Sequence, residues 1–201
     1  MRDQLPCGPG RARLARRSGA IIRWRWWWCA GWLLASLATG LAEDLVAKEY
    51  QIKAAYLYNF AKFVEWPENS FTNGQAPLVI GVLGENPFGG ELEKIANDHQ
   101  LNGRPIVIRR VTTVAAAAGV HLLFFSGRED PRVAEELAEL KGAGVLTVGE
   151  SEAFAAAGGV INLVREDNKV RFEINSLAAA GQHLKLSAQL LKLARPVHRP
   201  P

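Results

Sequence analysis

The stretch that decides the fold runs from Gly144 to Arg195: GVLTVGESEAFAAAGGVINLVREDNKVRFEINSLAAAGQHLKLSAQLLKLAR. Gly144 to Val148 is a short apolar run opened by glycine, as a buried strand requires. Glu150 to Ala157 is alanine-rich and predicts a short helix, and Gly158-Gly159 then breaks the chain. Val160 to Val164 and Val170 to Ile174 are β-branched and apolar. The polar run Glu166 to Lys169 between them reads as a hairpin turn. On the second strand Val170, Phe172 and Ile174 share one parity, and Arg171, Glu173 and Asn175 share the other, which predicts one core face and one available face. Ser176 to Ala180 reads as a helical turn capped by Gly181. Leu184 and Leu186 alternate with His183, Lys185 and Ser187, as in a half-buried edge strand. Ser187 then N-caps a last helix carrying Leu190, Leu191 and Leu193.

Moving outward, strands and short helices alternate. Leu78 to Leu83 is a near-continuous apolar strand. Gly84 to Gly90 is a turn, and Glu91 to His99 is an amphipathic helix with Leu92, Ile95 and Ala96 inward. Pro105 to Val111 and Val120 to Phe125 are strands, with a short helix or loop, Thr112 to Ala118, between them. Asp130-Pro131 starts a helix carrying Val133, Leu137 and Leu140 that ends at Gly142. Upstream, Glu43 to Trp66 reads as one helix with Ile52, Tyr56, Phe60 and Phe63 in a stripe, stopped by Pro67. The pattern predicts an α/β chain. It is a single three-layer domain with a mainly parallel sheet flanked by helices and an antiparallel hairpin near the C-terminus.

The chain has 201 residues and a net charge of +4, unevenly placed. Residues 1–42 carry seven Arg and one Asp, and the remainder is slightly acidic. The basic balance therefore belongs to the leader and argues against a nucleic-acid surface. That leader has an Arg-rich start, an apolar run from Trp26 to Leu41, and small residues at Gly40 and Ala42. It reads as a secretory signal peptide cleaved after Ala42, with cleavage after Gly40 or an uncleaved anchor as alternatives. Residues 43–195 are then the domain, and 196–201 read as a disordered tail. Both cysteines, Cys7 and Cys29, lie in the leader, so the exported domain relies on its core with no disulfide.

A search for chemistry finds little. The loop Gly81 to Gly90 lies where a phosphate-cradling loop would sit, but it lacks the G-x-G-x-x-G spacing. The four histidines show no metal-ligand spacing, and no G-x-S-x-G elbow is present. No catalytic residue, metal site or cofactor is expected. A small ligand, if one binds, is expected at the carboxyl ends of the parallel strands, at Gly84, Asn86, Ser126 and Arg128. Trp66 beside Pro67 reads either as a plug for the helix end or as a recognition aromatic.

Five pieces carry a resemblance: Tyr56 to Pro67 (YLYNFAKFVEWP), Gly144 to Phe154, Gly158 to Asn162, Phe172 to Asn175, and Leu190 to Ala194. In this order and spacing the chain resembles the YfiR-like family of periplasmic regulators, although it lacks the disulfides that members can carry. The resemblance implies a repressor that binds the periplasmic part of an inner-membrane diguanylate cyclase and so lowers cyclic-di-GMP and biofilm formation. It also implies an outer-membrane lipoprotein that sequesters the repressor. A sensor acting on a membrane sensor kinase is the alternative, and a homodimer stays open. The partner-binding residues expected are Trp66, Arg171, Glu173, Lys185, Gln189 and Lys192, with Glu173 exposed by strand alternation.

Overall fold

Seven strands form the main sheet in the computed structural model, which describes residues 45–127 and 131–195. The leader, Arg128 and the 196–201 tail lie outside the described residues. Helix α1 covers residues 45–62 and leads into β1 (Val64–Glu65). Next come β2 (Leu78–Leu83), α2 (Glu91–Asp98), β3 (Gln100–Leu101), β4 (Arg104–Val111), β5 (Leu122–Phe125) and α3 (Val133–Glu139). The decisive stretch supplies β6 (Leu146–Gly149), β7 (Ile161–Glu166), β8 (Lys169–Ile174), α4 (Ser176–Gly181), β9 (Lys185–Leu186) and α5 (Ala188–Leu193).

The sheet order is β3-β4-β2-β5-β6-β7-β8. Strands β4, β2, β5, β6 and β7 run parallel, and β3 and β8 close the two edges antiparallel. The earliest parallel strand, β2, thus lies inside the sheet. Winding reverses there, between β2 and β5. The mainly parallel sheet with helices on both faces, and the hairpin at one side, are as the sequence predicts.

Each face has its own core. Leu57, Phe60, Leu92, Phe172, Ala179 and Leu190 pack on one side, with α1, α2, α4 and α5. Val114, Leu123, Val133, Leu137 and Phe154 pack on the other, with α3. The rings of Tyr56, Phe60 and Phe172 meet at centroid distances of 5.0–5.6 Å, tying α1 to the hairpin. Residues Asp167 and Asn168 both have positive φ, the geometry of a two-residue hairpin turn.

The conspicuous glycines of this stretch follow from Phe154. Its ring fills the space where a Cβ on Gly149 or Gly159 would lie, so neither position admits a side chain. Nearby, Thr147 Oγ1 accepts the Val160 N–H at 3.0 Å, and Asn175 caps α4 by accepting the Ala178 N–H at 3.0 Å.

Several expectations need correction. Helix α1 stops at residue 62, well before Pro67, because Val64 and Glu65 leave it to pair with β9. Its inward stripe is Ala54, Leu57, Phe60 and Ala61, while Ile52 is 50% exposed. The Glu150 to Ala157 segment is a series of turns, drawn inward by Phe154. Helix α4 takes in Gly181 as its last residue and is capped by Gln182, and the left-handed residue beyond is His183, where Gly181 was expected as the cap. On α5 only Leu190 is buried; Leu191 and Leu193 are exposed.

Truncating Phe172 removes the ring that joins α1 to the hairpin. Phe172→Ala is expected to cost about 3–5 kcal/mol in urea unfolding. A loss below about 1 kcal/mol would contradict this packing.

Candidate functional site

The winding reversal places the carboxyl ends of β2 and β5 side by side, the position where open α/β sheets take ligands. Gly84 and Ser126 meet there in a cavity of about 120 Å³ with Thr112, Thr113, Arg132 and Glu136. That is small against the several hundred Å³ of typical ligand pockets. Asn86 stands outside its lining; its Oδ1 accepts the Phe88 N–H at 3.0 Å and shapes the turn. Arg128, as noted, is beyond description.

The other face of the sheet is packed against α1. Tyr50 packs edge-on against Phe88, with ring centroids 5.5 Å apart, and Phe88 in turn packs on Phe124. Beside them Glu150, just past β6, is almost sealed from water. One carboxylate oxygen accepts the Gly127 N–H at 2.7 Å and the Tyr50 hydroxyl at 3.2 Å. The other receives Lys53 Nζ at 2.6 Å. Lys53 also meets Glu49 at 2.7 Å, and Glu49 reaches Arg165 at 3.3 Å, on the hairpin. The side chains of Lys53 and Glu150 are 9% and 6% exposed.

Burial alone would lower the Lys53 pKa, but its bonds to Glu150 and Glu49 outweigh that and raise it. Tyr50 is also raised, by burial and then by the Glu150 charge. Both groups hold their protons to higher pH in the folded chain than in the unfolded one. Their contribution is therefore full below about pH 10 and is lost as pH rises through the folded values. With its partners in place, Glu150 acts as a latch rather than as a base. Among the described residues no three His, Cys, Asp or Glu side chains converge as a metal site.

This network was missed from sequence because Lys53 and Glu150 are about a hundred residues apart. The available signal was a lysine on the apolar stripe of α1, between Tyr50 and Leu57.

A larger cavity, about 350 Å³, lies at the opposite, amino-terminal ends of the strands. Ser70, His121, Glu139 and Gly144 are among its walls. Trp66 sits close by, half-buried, its Nε1 3.4 Å from the His121 carbonyl.

The remaining partner-binding candidates are spread over the C-terminal edge. Arg171, Lys185, Gln189 and Lys192 are exposed. Glu173 is not: it is 6% exposed, although its parity does point it away from Phe172. Strand alternation assigns the face but not its cover. Here Arg195, just past α5, lies beside β8: its backbone forms a parallel β-bridge with Glu173, and its N–H donates to the Phe172 carbonyl at 2.9 Å. An ion pair at 2.8 Å joins its side chain to Glu166. Opposite Glu173, Asn162 is equally buried, and its side-chain amide has no hydrogen-bond partner. Lys185 faces Glu65 across the β1–β9 pair. Trp66 lies apart from this edge in the described contacts, among Phe71 and His121.

The described residues thus form an α/β domain with a small cavity at the winding reversal and an exposed C-terminal edge. The chain belongs to the YfiR/HmsC-like family, whose model matches residues 50–195. That family is regulatory rather than catalytic and suggests a periplasmic regulator of diguanylate cyclase signalling. No curated protein matches the chain. Among solved structures, a glyoxylate reductase from Paecilomyes thermophila overlaps 52% of this chain at 16% identity with a TM-score of 0.33, and the chain spans 40% of that enzyme. An overlap of that quality carries nothing about activity.

Lys53→Met strands the Glu150 carboxylate without its ammonium and is expected to cost about 3–5 kcal/mol in urea unfolding. Adding Glu150→Leu is expected to recover part of that loss. A single substitution costing under about 1 kcal/mol would show that the pair is not a latch.

Proposed function

We propose that the protein is a periplasmic repressor that binds the sensing part of an inner-membrane diguanylate cyclase and restrains cyclic-di-GMP synthesis. The observation that carries this reading is the C-terminal edge. Leu193 is 65% exposed and Leu191 43%, on a short helix that also presents Gln189 and Lys192. Arg195, just past that helix, joins β8, the strand that presents Arg171. Exposed large apolar side chains rimmed by polar ones mark protein interaction sites. Repression requires only that this edge bind the inactive conformation of the cyclase better than the active one.

The location follows the family and the leader. Residues 1–42 are taken to direct export and to be removed, so that the domain begins at Glu43. In this reading Arg171, Gln189 and Lys192 are contact residues, and an outer-membrane lipoprotein that sequesters the repressor would compete for it. A second reading, a small-molecule sensor acting on a membrane sensor kinase, is favoured by the cavity of about 350 Å³ beside Ser70 and His121, which is of ligand size.

Deleting the gene is expected to raise cyclic-di-GMP. Complementation with an Arg171→Glu, Lys192→Glu double variant is expected to fail while the variant melts normally, since exposed charges contribute under about 1 kcal/mol to folding. Reversed charges at an interface can cost several kcal/mol. Protein recovered from the periplasm by osmotic shock is expected to start at Glu43. Full repression by the normally melting double variant would move the contact elsewhere. Unchanged cyclic-di-GMP in the deletion strain would favour the kinase reading.

A further inference from the structure

At the end of the sheet away from β8, strand β4 is only partly covered. β3 pairs with it over two residues, Gln100 opposite Pro105 and Leu101 opposite Arg104. The turn between them, Asn102-Gly103, has positive φ at both positions. Before β3 the chain lies on the α1 face, where His99 stacks on Tyr58 with ring centroids 5.1 Å apart. Beyond Pro105 no described strand pairs with the outer side of β4.

Backbone direction in β4 follows from one bond. The Val111 carbonyl accepts the Gly84 N–H at 3.1 Å, so Val111 turns its backbone groups toward β2. Neighbouring residues of a strand turn theirs to opposite sides. Val107 and Arg109 therefore also bond to β2, while Ile106, Ile108 and Arg110 direct their N–H and C=O groups to the open edge. Among the described residues these groups have no hydrogen-bond partner. Such an edge is a template for a further strand.

The side chains give the edge its chemistry. Val107, 43% exposed, and Arg109 point to the α3 face; Ile108, half-buried, and Arg110, exposed, point to the α1 face. The edge is thus apolar at its start and cationic at its end. Arg109 Nη2 donates to the Ala118 carbonyl at 2.6 Å, but its buried Nε finds no acceptor. A second copy of β4 laid against this edge would add arginines and no acid, because the strand reads RPIVIRRV. Carboxylates supply what the two guanidinium groups lack.

We propose that residues 106–110 form a strand-addition site for an extended, acidic segment of a partner protein, with apolar side chains against Val107 and Ile108 and carboxylates against Arg109 and Arg110. Backbone pairing supplies affinity, and the two arginines select the charge. The site lies at the other end of the sheet order from β8, so it is separate from the C-terminal edge and does not depend on which partner meets that edge.

Protein expressed from the full chain tests this with two fluorescent peptides, EEVTVTVEE and KKVTVTVKK. The acidic peptide is expected to bind, and the basic one to bind about tenfold more weakly or not at all. Arg110→Glu is expected to weaken the acidic peptide by about tenfold with an unchanged melting temperature, since the side chain is exposed. In amide exchange followed by NMR, the acidic peptide is expected to slow Ile106, Ile108 and Arg110. Val107, Arg109 and Val111, already bonded to β2, are expected to stay unchanged. Equal binding of the two peptides, no binding of the acidic one at millimolar concentration, or binding that leaves those outward amides unprotected overturns the proposal. So does their protection in the free protein together with a doubled mass in solution, which would place a second copy there. Should Arg110→Glu not fold, the exchange pattern of the wild type decides.

Discussion

The bond between Lys53 and Glu150 is the constraint on which the carboxyl ends of the parallel strands depend. A mainly parallel sheet must be covered on both faces, and α1 supplies much of the cover on one of them. Apolar packing sets how close the helix lies but is not directional. The Lys53–Glu150 pair, with Tyr50 and the Gly127 amide on the same carboxylate, adds direction: it fixes the rotation of α1 and draws in the loops after β5 and β6. A buried pair of this kind contributes more to uniqueness than to net stability, because desolvation offsets much of the attraction. Its structural consequence is that α1 is tied to the loops that follow β5 and β6.

The ends of the domain are closed by a different means. β1, immediately after α1, pairs with β9. Beyond β9 the chain passes through α5 and returns to β8, where the Arg195 amide reaches Phe172. The Tyr56, Phe60 and Phe172 rings lie between these two closures. The start and the end of the domain are thereby joined, and one open hydrogen-bonding group of the edge strand is satisfied by Arg195. What remains outward on this side is α5 with its exposed leucines and Lys192. An interface here would need no change in the core.

Much of this architecture was legible in the sequence. The alternation of Val170, Phe172 and Ile174, the apolar runs at Leu78 and Leu122, and Ser187 ahead of a leucine-rich turn are local signals, and local signals set strands, turns and caps. The failures arose where distant contacts decide. Ile52 fits a helical stripe, yet α1 turns Lys53 inward because Glu150 awaits it there. The segment after Glu150 is rich in alanine, yet the Phe154 ring nested against Gly149 and Gly159 holds it as turns. Glu173 has the parity of an outward residue, yet it is buried, on a strand that Arg195 joins from beyond α5. The same limit applies to function. No motif announces Lys53–Glu150 or the contact of Trp66 with His121, since each joins segments that are far apart in the chain.

The central claim is that the protein regulates by surface binding through its C-terminal edge rather than through the crevice at the carboxyl ends of the strands. Hydrogen–deuterium exchange, comparing the domain alone with the domain bound to the periplasmic part of the membrane cyclase, tests this most directly. The account predicts protection concentrated in α5 and β8, between residues 169 and 195, with the loops at Gly84 and Ser126 unchanged. Protection confined to those carboxyl-end loops, with α5 unaffected, would contradict it.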